Sequence, residues 1–325
     1  MQTIFIRADG DREIGYGHLL RCSILTRRLS ELGFKSIWIT SDPRKIPWGF
    51  FGFGPFKCFD CKSRELSGVE SIKLAGAKKD DWVILDSNIL DASSEKAYKS
   101  MGLNVLTIDD SCRRGFSADL VLNGNPIAKN LSYKGNKGTR FLLGQGYYLL
   151  REDIRKNKPR TRSYPLNHGL INWGSDNPDR LTERILKIIE GIKLNWTVIL
   201  PPDYTGSKPT RSNINLIQGL VPLSSYINAC DLYIGTVDNT IFEVIYSLMP
   251  SVIVSTNDDQ YKLAEKLNAD KVALFLGRSN KVIDKIILMA LERVLKGDHK
   301  DQFSSIQGYI DGDGVNRVIK EMKLV

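Results

Sequence analysis

The chain lacks the signatures of several protein classes. No stretch approaches the roughly 18 consecutive apolar residues of a membrane-crossing helix. Histidine occurs only three times and cysteine five times in 325 residues. A small, odd cysteine count in a chain long enough to build its own core argues against a disulfide framework and for a reducing, cytoplasmic setting. Cys58 and Cys61 make a lone C-x-x-C with no second pair and no neighbouring histidine. That is a weak zinc signal in a Gly/Phe-rich setting that reads as a loop, so neither a metal nor a cofactor is expected. The opening residues Met1–Arg7 lack the basic-then-apolar order of a secretory leader and read as a strand. Composition, 42% apolar and 26% charged, excludes collagen, coiled coil and disorder.

What the chain does have is a basic excess: 46 Lys and Arg against 37 Asp and Glu, a net +9. Nucleic-acid binding usually needs a concentrated basic stripe with aromatics. Here the cations are dispersed, and the one local run, Arg155–Arg162, reads as a solvated linker. The excess suits an anionic small substrate, with some attraction to an anionic membrane surface.

Apolar strand-like runs alternate with helical stripes. Thr3–Ile6, Ser36–Thr40, Trp82–Asp86, Asn104–Ile108 and Asp119–Leu122 read as strands in the first half. Cys22, Leu25, Leu29 and Leu32 form the buried stripe of a helix from about His18, closed by Gly33. The second half repeats the plan, with strands at Gly169–Asn172, Thr197–Leu200, Leu232–Ile234 and Val252–Ser255. Helices are expected over about Pro178–Ile192 and Asn239–Leu248. Strands alternating with helices imply right-handed βαβ units and parallel sheets. The fold expected is α/β, with two Rossmann-like domains facing across a cleft. Their boundaries are 1–158 and 159–305, followed by a tail helix over 306–325.

Ligands of open α/β sheets bind beyond the carboxyl ends of the strands, so residues just after strands carry the functional information. The loop from Arg7 to His18 ends in Gly15-Tyr16-Gly17 and opens a helix. The G-x-G-x-x-G spacing fails because its last position is Leu20. His18 at a helix start is a candidate general base, since the positive helix end favours a neutral imidazole. Its bland alternative is a packing histidine. Arg21, one turn on, could reach an anion or simply be a surface cation. His168 and His299 read as structural or solvated. In the second half, Trp173-Gly174-Ser175-Asp176 and Gly235–Thr240 supply small-residue turns before helices, where phosphate could dock or where side chains merely cap. Glu243 lies one turn into the second helix, at a distance suited to a ribose diol. Asp259 and Gln260 follow another strand.

The run Ile6-Arg7-Ala8-Asp9 through Ile14-Gly15-Tyr16-Gly17-His18-Leu19-Leu20-Arg21-Cys22 resembles the opening of the UDP-sugar hydrolases of pseudaminic-acid biosynthesis (the PseG/SpsG family). Further similarities follow in order: Ile108-Asp109-Asp110, Asp119–Asn123, Leu142–Arg151, Trp173–Asp176, the Glu243 helix, Asp259-Gln260 and Ile310–Arg317. The resemblance implies a GT-B fold related to MurG. It also implies hydrolysis of UDP-2,4-diacetamido-2,4,6-trideoxy-β-L-altropyranose at the anomeric C–O bond, with inversion and without metal. His18 would be the base, with Arg7, Asp9, Gly15, Gly17, Arg21, Asp86, Asn88, Asp259 and Gln260 on the sugar side. Gly174, Ser175, Asp238, Asn239, Thr240 and Glu243 would hold the UDP.

The chain departs from the family pattern at four places. Asp86-Ser87-Asn88 replaces Asp-His-Tyr, Trp173 replaces a glycine, Asp238-Asn239 replaces Gly-Gly, and Asp259 replaces an asparagine. A glycosyltransferase and a nucleotide-sugar binding protein without turnover are the alternatives. For a transferase, the aromatic segment Pro47–Phe56 would be a membrane-docking patch rather than a packed loop. The oligomeric state is not expressed in the sequence.

Overall fold

The structure is a computed structural model describing residues 2–11, 14–46, 48, 56–157, 159–160, 165–174, 178–219, 221–297 and 303–324. It divides into two compact units, Met1–Arg151 with Gly312–Val325, and Glu152–Asp311.

The first unit carries β1 (Thr3–Ala8), β2 (Lys35–Thr40), β3 (Lys57–Asp60), β4 (Trp82–Asp86), β5 (Asn104–Ile108), the short β6 (Gly115–Phe116), β7 (Leu120–Asn123), the short β8 (Lys134–Gly135) and β9 (Arg140–Leu143). Seven of these strands form a parallel sheet in the order β3-β2-β1-β4-β5-β7-β9. Its central strands are apolar on both faces because helices cover both. One face packs Ile4, Ile6 and Ile84 against α1 (Gly17–Glu31), and the other packs Phe5, Val83 and Leu85 with α2 (Val69–Leu74) and α3 (Ala92–Ser100).

Helix α1 is the one the apolar spacing predicts: Cys22, Leu25 and Leu29 have no exposed surface, though Leu32 is only partly buried. Gly33 takes φ +86°, which lets its N–H reach the Ser30 carbonyl and the Phe34 N–H reach the Leu29 carbonyl. Cys58, expected in a loop, lies in edge strand β3 opposite Trp38. Alternation sends Cys58 and Phe59 to opposite core faces. Burial pushes the Cys58 thiol up to about 11. No group of three or more His, Cys, Asp or Glu among the described residues could hold a metal ion.

The second unit opens with α4 (Glu152–Arg155) and carries β10 (His168–Asn172), α5 (Leu181–Ile189), β11 (Asn195–Leu200), β12 (Ile214–Gln218), α6 (Ser224–Ala229), β13 (Leu232–Thr236), α7 (Thr240–Tyr246), β14 (Ser251–Ser255), α8 (Asp258–Ala269), β15 (Leu274–Arg278) and α9 (Asp284–Lys296). Its six strands are parallel, in the order β12-β11-β10-β13-β14-β15. Helix α5 is shorter than its sequence pattern because Asp179 and Arg180 adopt φ of 49° and 54°, which an α-helix does not tolerate.

The units divide earlier than the change at 158 expected from composition. Glu152 binds Arg155, and the Tyr246 hydroxyl donates to the Arg155 carbonyl at 3.1 Å, so α4 is tied to the second unit. The tail is split as well. Residues up to Asp311 stay with the second unit, whereas α10 (Gly314–Glu321) inserts Val318, Ile319 and neighbouring Met322 into the first unit's core. Arg28 donates to Asn316, and Arg317 donates to the Gly146 carbonyl at 2.7 Å.

Both sheets have a topological switch point, where the chain order reverses between neighbouring strands. It lies between β1 and β4 in the first unit and between β10 and β13 in the second.

Candidate active site

In the first unit the switch point is occupied by a connected polar cluster. Asp86, the last residue of β4, has no exposed surface and is the hub. His18 Nδ1 lies 2.6 Å from Asp86 Oδ1 and 3.2 Å from Arg21 Nη2, and the much shorter contact with the carboxylate makes Nδ1 the protonated nitrogen. Arg21 Nε donates to Oδ2 at 2.5 Å and Nη2 to Oδ1 at 2.7 Å. The Cys22 thiol also lies 3.7 Å from Oδ2. Burial alone would raise the Asp86 carboxyl, but the Arg21 charge and then His18 overcome it, and the group ends at about 2. It is therefore an ionised acceptor near neutral pH. An acceptor at Nδ1 assigns the neutral imidazole its proton there and leaves the lone pair on Nε2. Asn88 Nδ2 stands 3.2 Å from Nε2.

His18 and Arg21 reach Asp86 because they lie one turn apart on α1. Tyr16, at the N-cap, makes no side-chain cap bond, and the first turn carries no acid of its own, so the carboxylate nearest the positive helix end is Asp86 from β4. Gly15 holds φ +77°, in a tight loop where the Ile14 N–H bonds Asp11 Oδ1 at 3.1 Å. Gly17 is the first residue of α1.

Two expected sugar-side residues prove to be internal. Arg7 has no exposed surface; it donates to Asp9 at 2.5 Å and to the carbonyls of Ser63, Arg64 and Leu66. Asp9, 6% exposed, also accepts from Thr40 Oγ1 and the Ser41 N–H. Burial would raise the Asp9 carboxyl, but Arg7 and the Ser41 amide leave it lowered. These two residues pin the loop after β3 to the end of β1.

One member of the cluster was not singled out from the sequence. Asp110 pairs with Arg21 Nη1, and burial of Arg21 is outweighed by Asp110 and Asp86, which raise its guanidinium further. The signal was present in the Asp109-Asp110 pair after β5. Only the structure separates the two: Asp109 caps the following turn through the Ser111 and Cys112 amides, and Asp110 faces the cluster.

In the second unit, the turn after β10 and the turn after β13 meet. Gly174 takes φ +84°, and a Cβ built there would stand 3.3 Å from Asp238 Oδ2. Asp238 Oδ1 accepts the Thr240 N–H at 2.8 Å, so Asp238, not Thr240, caps α7. Burial pushes the Asp238 carboxyl up, only partly offset by that amide. Asn239 is exposed and Glu243 is buried one turn into α7. Ser175, the other residue expected at this turn, lies outside the described residues. Gly235 cannot carry a side chain, because its Cβ would press on the Asn172 carbonyl and the Tyr233 ring.

Gln260 is bonded to the backbone around the start of α8. Its Oε1 accepts from the Thr256 N–H and hydroxyl at 2.9 Å, and its own N–H bonds Asn257. Asp259 is exposed in the first turn of α8. His168 bonds Thr197 Oγ1 at 2.9 Å, and His299 is outside the described residues. Of the aromatic segment Pro47–Phe56, Trp48 and Phe56 pack on Trp38 with centroids 5.4 and 6.3 Å away; the rest is not described. Arg155 and Arg160 of the basic run are paired with Glu152 and Asp231.

No protein-family model matches the chain. Three curated relatives do. An uncharacterised protein of Methanocaldococcus jannaschii is 23% identical over 281 residues, 79% of this chain and 56% of that protein. The UDP-2,4-diacetamido-2,4,6-trideoxy-β-L-altropyranose hydrolase of Campylobacter jejuni is 24% identical over 179 residues, 54% of this chain and 61% of that enzyme. A Helicobacter pylori protein, named as pseudaminic acid cytidylyltransferase and the same hydrolase, is 26% identical over 276 residues, 83% of this chain and 47% of its own. The chain thus aligns with about half to three fifths of the length of these relatives. Among solved structures, MurG of Acinetobacter baumannii superposes with TM-score 0.72 at 13% identity, covering 100% of both chains. The S. aureus MnaA–UDP complex superposes with TM-score 0.65 at 11% identity, covering 99% of this chain and 96% of that one. These likenesses identify the fold as GT-B, two Rossmann-like α/β units. No helix among the described residues is long and apolar enough to cross a membrane.

Proposed function

We propose that the chain belongs with the pseudaminic-acid UDP-sugar hydrolases its opening motif resembles. Its reaction would be hydrolysis of a UDP-linked 2,4-diacetamido-trideoxy sugar at the anomeric C–O bond with inversion. The observation that carries the reading is the Asp86–His18 pair at the β1/β4 switch point, with the imidazole proton held on Nδ1 and the lone pair on Nε2. The two relatives named as this hydrolase support the substrate class.

In this mechanism, Nε2 takes a proton from water as the oxygen attacks the anomeric carbon. Asp86 and Arg21 hold the ring in place, and Asp86 stabilises the imidazolium that forms. UDP leaves with the electron pair of the broken C–O bond. The diphosphate would be held in the second unit, at the Gly174 turn and the start of α7. Glu243 would bind the ribose hydroxyls. The sequence names no metal, and none is invoked.

The test is UDP release from the diacetamido sugar nucleotide, with the anomeric configuration of the first-formed sugar followed by NMR. His18→Gln is expected to abolish release while the denaturant midpoint stays near wild type. Turnover retained in His18→Gln overturns the mechanism. Release that requires an added sugar or lipid acceptor would instead identify a glycosyltransferase.

A further inference from the structure

We propose that Asn88 is a positioning residue of the same reaction, resting on the reading of His18 as its base. It covers the Nε2 lone pair in the ligand-free enzyme, then swings aside and accepts a hydrogen of the attacking water. The geometry is specific. Asp86 is an ionised acceptor at Nδ1, so Nε2 of the neutral ring can only accept, and the group 3.2 Å away is the Asn88 amide nitrogen, a donor. No water fits between atoms at that separation, so the amide must leave Nε2 before a water can bind it.

The local backbone suits such a movement. Ser87 Oγ accepts the Ile89 and Leu90 N–H groups, both at 3.2 Å, forming a turn that holds the main chain while the exposed Asn88 side chain stays free to rotate. A rotation about χ1 or χ2 takes Nδ2 off the ring and leaves Oδ1 within reach of a water on Nε2. That water then has one hydrogen directed at Nε2 and the other at Asn88 Oδ1, and one of its two lone pairs is aimed at carbon. The proton ends on Nε2, the water oxygen forms the new C–O bond as the C–O bond to UDP breaks and UDP leaves with its electron pair, the second hydrogen stays on the new hydroxyl, and Asn88 undergoes no net change.

The experiment compares wild type, Asn88→Ala and Asn88→Asp, using UDP release from the diacetamido sugar nucleotide and 15N NMR of the ligand-free protein. Asn88→Ala is expected to lower kcat on the order of tenfold, the rate equivalent of about 1.4 kcal/mol, with KM nearly unchanged. Its His18 Nε2 resonance should move as a water replaces the amide as donor to that lone pair. Asn88→Asp keeps an acceptor oxygen and should recover most of the lost kcat. A wild-type kcat in Asn88→Ala, an unmoved Nε2 resonance, or a change confined to KM each overturns the proposal. Retained turnover in His18→Gln, by contrast, overturns the underlying reading.

Discussion

Replacing Asp86 by asparagine tests the hub of the cluster without changing its size. In the wild type, Oδ1 accepts from both His18 Nδ1 and Arg21 Nη2, and Oδ2 accepts from Arg21 Nε. A carboxamide cannot reproduce this. With its oxygen toward His18, its NH2 meets the Arg21 Nε–H. With its oxygen toward Arg21 Nε, its NH2 meets the His18 Nδ1–H and drives the proton to Nε2, the tautomer that cannot act as base. Loss of the correct tautomer in a comparable His–Asp pair costs about 10⁴ in kcat, and we expect a fall of roughly 10³- to 10⁴-fold here. Removing one partner of a buried ion pair costs about 3–5 kcal/mol. Asp110 still matches part of the Arg21 charge, so the loss should fall at the low end of that range. UDP release measured at saturating substrate gives the first number, and equilibrium urea unfolding gives the second. If Asp86→Asn turns over within tenfold of wild type, the tautomer argument is wrong, whatever its stability.

Three further outcomes follow from the same geometry. The Asp86 carboxyl falls from 3.8 to about 2 on folding. Its contribution to stability, roughly 2 kcal/mol, is thus full above about pH 4 and is lost as pH falls through about 2. The stability gap between wild type and Asp86→Asn should narrow over that window, and a constant gap would count against it. Arg7→Met removes the bonds to three loop carbonyls and leaves Asp9 a buried, unmatched charge. The urea midpoint should drop by an amount worth about 3 kcal/mol or more while KM for the sugar nucleotide holds; a raised KM at unchanged stability would restore Arg7 to the ligand. Gly235→Ala forces a methyl onto the Asn172 carbonyl and Tyr233 ring, which should cost about 1–3 kcal/mol by thermal melting and weaken UDP binding in calorimetry. Unchanged melting would show that the end of β13 is slacker than its packing implies.

Much of the fold was readable because its central strands are buried on both faces and its helices on one. Such elements carry continuous or periodic apolar runs, as in β4, which was read to the residue, and α1. Edge elements carry weaker patterns. Strand β3 has four residues, alternates its faces and follows a glycine-rich stretch, so nothing in its composition separates it from a loop. The expected site was legible in part. His18 was found from its place before a helix, but its partnership with Asp86 spans 68 positions and leaves no local mark. Arg7 is placed on the sugar side by the resemblance alone, and its burial against three loop carbonyls leaves no local mark in the sequence. Gln260 shows the opposite limit: a residue after a strand also stands before a helix, and there the backbone claimed its side chain first.

Helix α10 completes the first unit's core with residues encoded some 160 positions after the rest of that unit ends. On a ribosome, therefore, the half of the protein made first is finished last. The stretch Glu152–Asp311 is continuous and can collapse on its own, while the older sheet waits with the apolar surface beside α1 uncovered until Val318 and Ile319 emerge. A nick or tag near residue 315 would then damage the His18 unit, remote in sequence, more than the neighbouring one. Release of a proteolytic fragment ending near 311 should leave the second unit folded and the first one open.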